Sequence, residues 1–379
     1  MIYQKFGDSN MNTSILGMGC MRFPVIDDDN ENIDEKKAIE MIRYAIDNGI
    51  NYIDTAWPYH GGNSETIVGK ALQDGYREKA YLATKLPSWK IEKREDFDYY
   101  LNKQLEKLQT DHIDLYLLHT LNRDYWENYK ELDVFSWLEE KKKQGTIKQV
   151  GFSFHAAYDL FEEIIDHYDW DFCQIQYNYL DTEFQAGKKG LKYANNKGIE
   201  VVIMEPLRGG TLAQEPPKEV KEILDKSDEN RNAVNWSLQW LWDQKEVSVV
   251  LSGMSTMEQI KENISLANNV DQNSLSNKES ELITKARKKF LDIFPVACTG
   301  CNYCVPCPQG VAIPNIFSLY NEAKIYDKYE TNNKRYFNMG EKSRAANCVE
   351  CGQCEEACPQ NLTIMDYLKD VSKYFIEKE

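Results

Sequence analysis

At 379 residues with 42% apolar and 12% aromatic content, the chain is ordinary globular material that exceeds one comfortable hydrophobic core, so two domains are expected. A net charge of −16 repels phosphate backbones and anionic lipid, which excludes nucleic acid and membrane surfaces as partners. No apolar run reaches the roughly 20 residues of a membrane helix. The opening Met1-Ile2-Tyr3-Gln4-Lys5-Phe6-Gly7 has no apolar h-region, so a reducing, cytoplasmic setting is expected, where cysteines read as metal ligands rather than disulfides.

Short β-branched or aromatic runs alternate with helical periodicity up to about residue 270, the pattern of a parallel α/β architecture. The first helix is the clearest unit: Asp34 caps it, Ala38, Met41, Ile42, Ala45 and Ile46 form one apolar stripe, and Gly49 stops it. Candidate strands end near Gly19, Asp54, Lys85, His119, Ser153, Gln176, Met204 and Ser252. Between them helical periodicity covers 63–72, 94–108, 127–144, 158–167, 184–196 and 233–243, and 256–268 closes the set. Successive strand ends lie about 30 residues apart, enough for one strand, one helix and two loops. Eight such units make a (β/α)8 barrel. Leu16-Gly17-Met18-Gly19-Cys20 lacks the third glycine of a dinucleotide fingerprint, which weighs against an open doubly wound sheet. The segment 207–230, with Pro216-Pro217, is too long for a plain connection and reads as a mobile loop over the barrel mouth. A charged helix over 277–290 leads to Pro295, where composition changes. The expected domains are therefore 1–294, the barrel, and 295–379, a small and mostly helical ferredoxin-like unit.

In such a barrel, chemistry sits where strands end. Asp54, Lys85 and His119 end the second, third and fourth strands, and Tyr59 follows Asp54 by one short loop. A phenol with a pKa near ~10 is a weak acid at neutral pH. An adjacent ammonium lowers that value, and a carboxylate holds the ammonium in place, giving a general acid for a carbonyl oxygen. Singly, each of these residues has an ordinary use as a turn, rim, surface or buried polar group. Their convergence on consecutive strands favours chemistry. Trp57, His60, Trp89, Tyr125, Trp126 and His155 are candidates to line the pocket.

The same segments carry a resemblance. Ile53-Asp54-Thr55-Ala56-Trp57-Pro58-Tyr59, Ala83-Thr84-Lys85 and Leu115-Tyr116-Leu117-Leu118-His119 look like the catalytic segments of aldo-keto reductases. Gly151-Phe152-Ser153, Gln174-Ile175-Gln176-Tyr177-Asn178, Pro206-Leu207-Arg208-Gly209-Gly210 and Ser252-Gly253-Met254-Ser255 match further stretches, up to about residue 290. The resemblance implies Tyr59 as proton donor, Lys85 and Asp54 as its tuning pair, and His119 as the group that orients the carbonyl. It implies Ser153 and Gln174 on the nicotinamide carboxamide. Gly253, Ser255, Gln259, Glu262 and Asn263 would take the adenosine phosphate end, with Pro206, Leu207 and Arg208 in the same cofactor set. Three positions depart from the family. Phe154 stands where Asn is usual, Met204-Glu205 replaces a stacking aromatic, and Gln259 occupies the place of a 2′-phosphate arginine. NADP(H) is the expected cofactor, with Arg208 as a substitute cation, and NAD stays open.

The tail reads Cys298-x2-Cys301-x2-Cys304-x2-Cys307-Pro308, then Cys348-x2-Cys351-x2-Cys354-x3-Cys358-Pro359. The second run is the bacterial ferredoxin pattern for a [4Fe–4S] cluster, whose fourth cysteine normally serves the other cluster. On that reading Cys298, Cys301, Cys304 and Cys358 hold one cluster, and Cys348, Cys351, Cys354 and Cys307 the other. Two four-cysteine zinc sites are the alternative, and the first run, one residue short, leaves a single cluster open. A helix over 315–324 separates the runs. The region resembles the two-cluster ferredoxin domain of a subset of bacterial aldo-keto reductases. Cys20 and Cys173 stand apart and read as buried apolar side chains.

These features support NADPH-dependent reduction of a small-molecule aldehyde or ketone. One alternative is a nicotinamide-linked enzyme that exchanges electrons with a ferredoxin- or flavodoxin-type partner through its clusters. The other is a non-catalytic NADP-binding redox sensor. A purely structural role for the clusters fits any of these.

Overall fold

The computed structural model of the chain describes residues 1–376 other than 8, 28, 271–274 and 327. Strands β1 (Tyr3–Lys5) and β2 (Asn12–Ser14) pair antiparallel, Tyr3 opposite Ser14. Eight parallel strands follow: β3 (Leu16–Gly19), β4 (Tyr52–Asp54), β5 (Tyr81–Leu86), β6 (Ile113–Leu121), β7 (Ile147–Phe154), β8 (Phe172–Gln176), β9 (Glu200–Met204) and β10 (Val249–Ser252). They close into a barrel in chain order, with β10 pairing back onto β3. Parallel strands are covered on both faces, which explains near-continuous burial along β6 and β8.

The barrel interior is packed by Tyr52, Ala83, Leu115, Leu117, Phe172, Val202, Val249 and Leu251. Phe6 and Met11, from the β1–β2 hairpin, join this cluster. Tyr52, Phe172 and Val249 begin their strands, so the hairpin plugs the N-terminal end of the barrel and leaves the opposite end for the site. At β7, Gly151 permits close approach to β8, since a Cβ there would lie 2.6 Å from the Phe172 carbonyl oxygen. That approach sets Ser153 directly opposite Gln174 in the ladder.

The first barrel helix is Glu35–Asp47, capped by the Asp34 side chain on the Lys37 amide, and its five-residue apolar stripe is buried. The helix expected over 127–144 is two helices, Arg123–Glu131 and Val134–Gln144, broken at Asp133 with φ 55°. Cys20 and Cys173 are fully buried. Among the described residues, no helix is long and apolar enough to cross a membrane.

The chain divides into two compact units that do not follow its order. One comprises Met1–Pro206 with Ser237–Ser274, the other Leu207–Trp236 with Leu275–Glu379. In sequence the change comes near residue 295, whereas in space the segment from Leu207 and the helix Asn277–Ile293 go with the second unit. The expected loop over 207–230 contains a short turn, Arg208–Ala213, and a helix, Lys218–Leu224. Val220 and Leu224, four apart, bury one face of that helix. Arg231 then bonds Glu279 at 3.1 Å, and Glu279 also closes a capping box with Ser276. The second unit's core includes Val296, Val311, Ile316, Phe317, Leu368, Val371 and Phe375, with six of the eight clustered cysteines packed against it.

Candidate active site

Lys85, the penultimate residue of β5, is 1% exposed, and its ammonium is the hub of the site. Nζ lies 2.7 Å from Asp54 Oδ1, donates to the Thr55 carbonyl at 2.8 Å and reaches the Tyr59 hydroxyl at 3.4 Å. Burial pushes the Asp54 carboxyl upward, and Lys85 opposes that shift. Asp54 Oδ2 is buried without a protein partner.

Tyr59 begins a turn, Tyr59–Gly62, shaped by His60 at φ 54°. His60 Nε2 accepts from the Phe23 amide at 3.0 Å, so Nδ1 donates to the Asn30 carbonyl at 2.7 Å. His60 is therefore a brace for the tyrosine turn rather than a pocket residue. The acidity of Tyr59 differs from the expectation of a lowered pKa. Burial, then the Asp54 charge, push the phenol well above its ordinary value despite the nearby ammonium. Tyr59 thus rests protonated beside the Lys85 ammonium.

A buried network that sequence reading overlooked backs this strand. Glu65, fully buried, accepts from Thr84 Oγ1 and Gln104 Nε2, each at 2.7 Å. Gln104 also donates to the Lys85 carbonyl at 2.9 Å and accepts from Tyr116 at 2.7 Å. Burial raises the Glu65 carboxyl. An acidic residue on the buried face of the helix Ser64–Ala71 is the signal that sequence offered.

His119 sits in β6 beside Tyr59, ring centroids 6.2 Å apart, with Trp89 at 5.2 Å on another side. Burial first, then Lys85 and His155, push its imidazole well below the ordinary value, so it is neutral. Trp126 is a core residue, fully buried and donating to Glu163 at 2.8 Å. Trp57 stacks over the Lys107 ammonium at 3.8 Å, and Tyr125 is half-buried on the helix Arg123–Glu131. Arg22 and Glu205 pair at 3.8 Å, and both charges act on Tyr59.

In the second unit, Cys298, Cys301, Cys304 and Cys358 line one cleft. Cys307, Cys348, Cys351 and Cys354 line a cavity of about 210 Å³, and Cys304 borders both. Each run's fourth cysteine thus sits with the other run's first three. Burial and neighbouring thiols push Cys304 up to about 12 and Cys354 to about 11. Such a crowd of thiols deprotonates only against bound cationic charge, which suits metal clusters. Among the described residues, no three His, Cys, Asp or Glu side chains are spaced for a single metal ion.

Residues 15–288 match the Aldo/keto reductase family. The chain belongs to that family. Residues 297–363 match a 4Fe-4S dicluster domain, so this aldo/keto reductase carries an iron–sulfur domain. It is 29% identical to an uncharacterized oxidoreductase, YqkF, of Bacillus subtilis, over 70% of this chain and 90% of the relative. It is 25% identical to an NADH-specific methylglyoxal reductase of Escherichia coli, over 69% of this chain and 92% of that one. The holo form of an aldo-keto reductase from Bacillus halodurans superposes with a TM-score of 0.63 at 27% identity, covering 76% of this chain and 96% of its own. The reductase is an NAD(P)H-dependent oxidoreductase.

The barrel residues fit a nicotinamide. Ser153 Oγ accepts from the Thr120 amide at 2.8 Å and keeps its own proton to donate. Opposite it, Gln174 Oε1 is buried without a partner. One donor beside one acceptor is the complement of a primary carboxamide. After β10, the Ser255 amide donates to Gln259 Oε1 at 2.7 Å, and Thr256 caps the helix Met257–Asn269. Asn263, buried, donates to Ser252 at 3.0 Å, while Gly253 is exposed and Glu262 half-buried. Pro206 ends the first unit's long segment. Leu207 and Arg208 belong to the second unit, where the Arg208 guanidinium is buried over the Phe294 ring at 4.5 Å. Gly209, φ 64°, packs so tightly that a Cβ would fall 2.0 Å from the Thr299 carbonyl oxygen.

Proposed function

We propose that this reductase converts an aldehyde or ketone to an alcohol with NADPH, reversibly, with Tyr59 as the proton donor. The observation that carries this reading is the Asp54–Lys85–Tyr59 chain, with Nζ 2.7 Å from the carboxylate and 3.4 Å from the phenol. Bound, the dihydronicotinamide supplies a hydride to the carbonyl carbon. The protein's part is to place and protonate the oxygen.

Tyr59 donates a hydrogen bond to the carbonyl, and neutral His119 offers a second. An alkoxide is as strong a base as hydroxide, far more basic than a phenolate, so even a raised phenol yields its proton as charge develops. The tyrosinate left behind faces Lys85, whose ammonium is held by Asp54 and the Thr55 carbonyl. Ser153 and Gln174 orient the carboxamide, and Gln259, Asn263 and Ser255 are assigned to the adenosine end. Gln259 carries no charge to select a 2′-phosphate, and Arg208 is held against Phe294, so both nucleotides belong in the assay. The methylglyoxal reductase among its relatives makes a short oxygenated aldehyde a sensible first substrate.

The cysteines are assigned to two [4Fe–4S] clusters, which when bound carry single electrons. Cys304 borders both cavities, an adjacency that favours, as a second reading, exchange of electrons with a ferredoxin- or flavodoxin-type partner.

The test is a panel of carbonyl compounds with anaerobically prepared protein and either nucleotide, wild type against Tyr59→Phe. The proposal expects carbonyl-dependent nucleotide oxidation that falls at least 100-fold in Tyr59→Phe while nucleotide binding persists. Equal turnover by the two proteins would overturn it.

A further inference from the structure

The Tyr59 hydroxyl meets the Lys85 ammonium only while two separate pieces of backbone, the turn Tyr59–Gly62 and the end of β5, keep their distance. The turn has little regularity of its own. His60, Gly61 and Gly62 have φ of 54°, 63° and 95°, and the left-handed region is costly for His60. One helix reaches both pieces. Tyr100, Gln104 and Lys107 stand at i, i+4 and i+7 of the helix Glu95–Leu108 and so share one face.

Gln104, fully buried, donates to the Lys85 carbonyl at 2.9 Å, and the Tyr116 hydroxyl fixes its amide oxygen at 2.7 Å. Lys107 Nζ donates to the Gly62 carbonyl at 3.1 Å, at the end of the turn. The same ammonium lies 3.8 Å from the ring centroid of Trp57, two residues before Tyr59. Tyr100 meets that indole edge-on, with centroids 5.0 Å apart. Glu65 joins the two grips, accepting from Gln104 at 2.7 Å with one oxygen and from Lys107 at 3.5 Å with the other. Its helix, Ser64–Ala71, comes close because of Gly69, where a Cβ would lie 2.4 Å from the Lys107 carbonyl oxygen.

We propose that Lys107 is a positioning residue for the proton donor and that, with Gln104 and Glu65, it sets the separation between the Tyr59 hydroxyl and the Lys85 ammonium. The inference rests on the carbonyl-reductase reading above and deepens it. Gln104 grips the Lys85 backbone, and Lys107 grips the Gly62 backbone and Trp57. Their effect on the reaction therefore passes through Tyr59 and Lys85.

The test is Lys107→Met, which keeps the length of the stem and removes the charge. The Lys107 side chain is 26% exposed, so the variant should fold. In single-turnover reduction by the full clustered protein under anaerobic conditions, the chemical step should slow by about 10- to 100-fold, the cost of a reacting group displaced by an ångström. The dissociation constant of NADPH, read by its fluorescence, should stay close to that of wild type. Lys107→Arg, which can stack on Trp57 and donate to Gly62, should hold the rate within about threefold. The double variant Lys107→Met with Glu65→Gln removes the carboxylate left without its cation and should recover thermal stability but not rate. In a Tyr59→Phe background Lys107→Met should cost almost nothing more, because the group it positions is gone. A full rate in Lys107→Met, a loss confined to nucleotide affinity, a rate that returns with stability in the double variant, or an equal fall in the Tyr59→Phe background overturns the inference alone. Tyr59→Phe turning over at the wild-type rate overturns the reading beneath it as well.

Discussion

Replacing Lys85 with Met separates what the ammonium does for catalysis from what it does for the fold. Opposite unit charges 3.4 Å apart attract by roughly 5 kcal/mol at an effective dielectric of about 20. That is the stabilisation the variant withdraws from the tyrosinate formed as the proton leaves, so kcat for reduction should fall by about 10³ to 10⁴. Removing one partner of a buried ion pair should also destabilise the protein by about 3–5 kcal/mol. The two effects part in the double variant with Asp54→Asn. It removes the stranded carboxylate and should recover much of the stability, but none of the rate. The pH dependence supplies a sign check. Burial raises the Asp54 carboxyl, and Lys85 is what opposes it. Without Lys85 the protonated folded form is favoured, so stability is highest at low pH and is lost as pH rises through the folded-state value. The stability lost in Lys85→Met relative to wild type should therefore be smaller at pH 5 than at pH 8. Single-turnover reduction measures the rate, and thermal unfolding at the two pH values measures stability. A kcat within tenfold of wild type would refute the reasoning.

Other outcomes follow from the same geometry. Because burial holds the Tyr59 phenol protonated, the rate of carbonyl reduction should be flat from neutral pH to above 10, while alcohol oxidation rises with pH. An alkaline loss of reduction beginning near 8 would contradict this. His119 and His155 are buried neutral, with His155 lowered to about 4. The stability they confer is present above the unfolded-state value of ~6.5 and is lost as pH falls, by about 1–2 kcal/mol near pH 5 for one such group, which a pH series of denaturant titrations measures. Glu65→Gln, which keeps the hydrogen bonds of a carboxyl raised by burial, should cost under ~1 kcal/mol, whereas Glu65→Ala leaves Gln104 and Thr84 facing a void and should cost about 2–4 kcal/mol. Anaerobic protein should be brown with about eight irons, and Cys358→Ala should halve that number by disabling the cluster of the first run. Colourless protein containing zinc would contradict the assignment.

The barrel was legible because parallel strands announce themselves. Each expected strand end, from Gly19 to Ser252, falls within or at the end of an observed strand. The stripe from Ala38 to Ile46 is the buried face of its helix. What stayed hidden was set by tertiary packing. The β1–β2 hairpin is only three residues a side, too short for periodicity, and exists to plug the barrel with Phe6 and Met11. The break at Asp133 lies inside an apolar pattern that runs through it. The segment from Leu207 looked like an unattached loop because the partners of Val220 and Gly209 lie in the distant tail, at Asn277–Ile293 and Thr299. At the site, residue types marked Asp54, Tyr59, Lys85 and His119, but not the sign of the phenol's shift. That sign depends on burial, which outweighs an adjacent ammonium. Glu65 escaped for a related reason: its role lies in what surrounds it.

The central claim is that Tyr59 protonates a carbonyl oxygen while hydride reaches the adjacent carbon. Single-turnover reduction with NADPH deuterated at the transferring position of C4 tests it most directly, by following deuterium into the alcohol carbon. The account predicts one deuterium per alcohol formed in the wild type, and in Tyr59→Phe a rate at least 100-fold lower with nucleotide still bound. Deuterium absent from the product, or transferred by Tyr59→Phe at the wild-type rate, would contradict it.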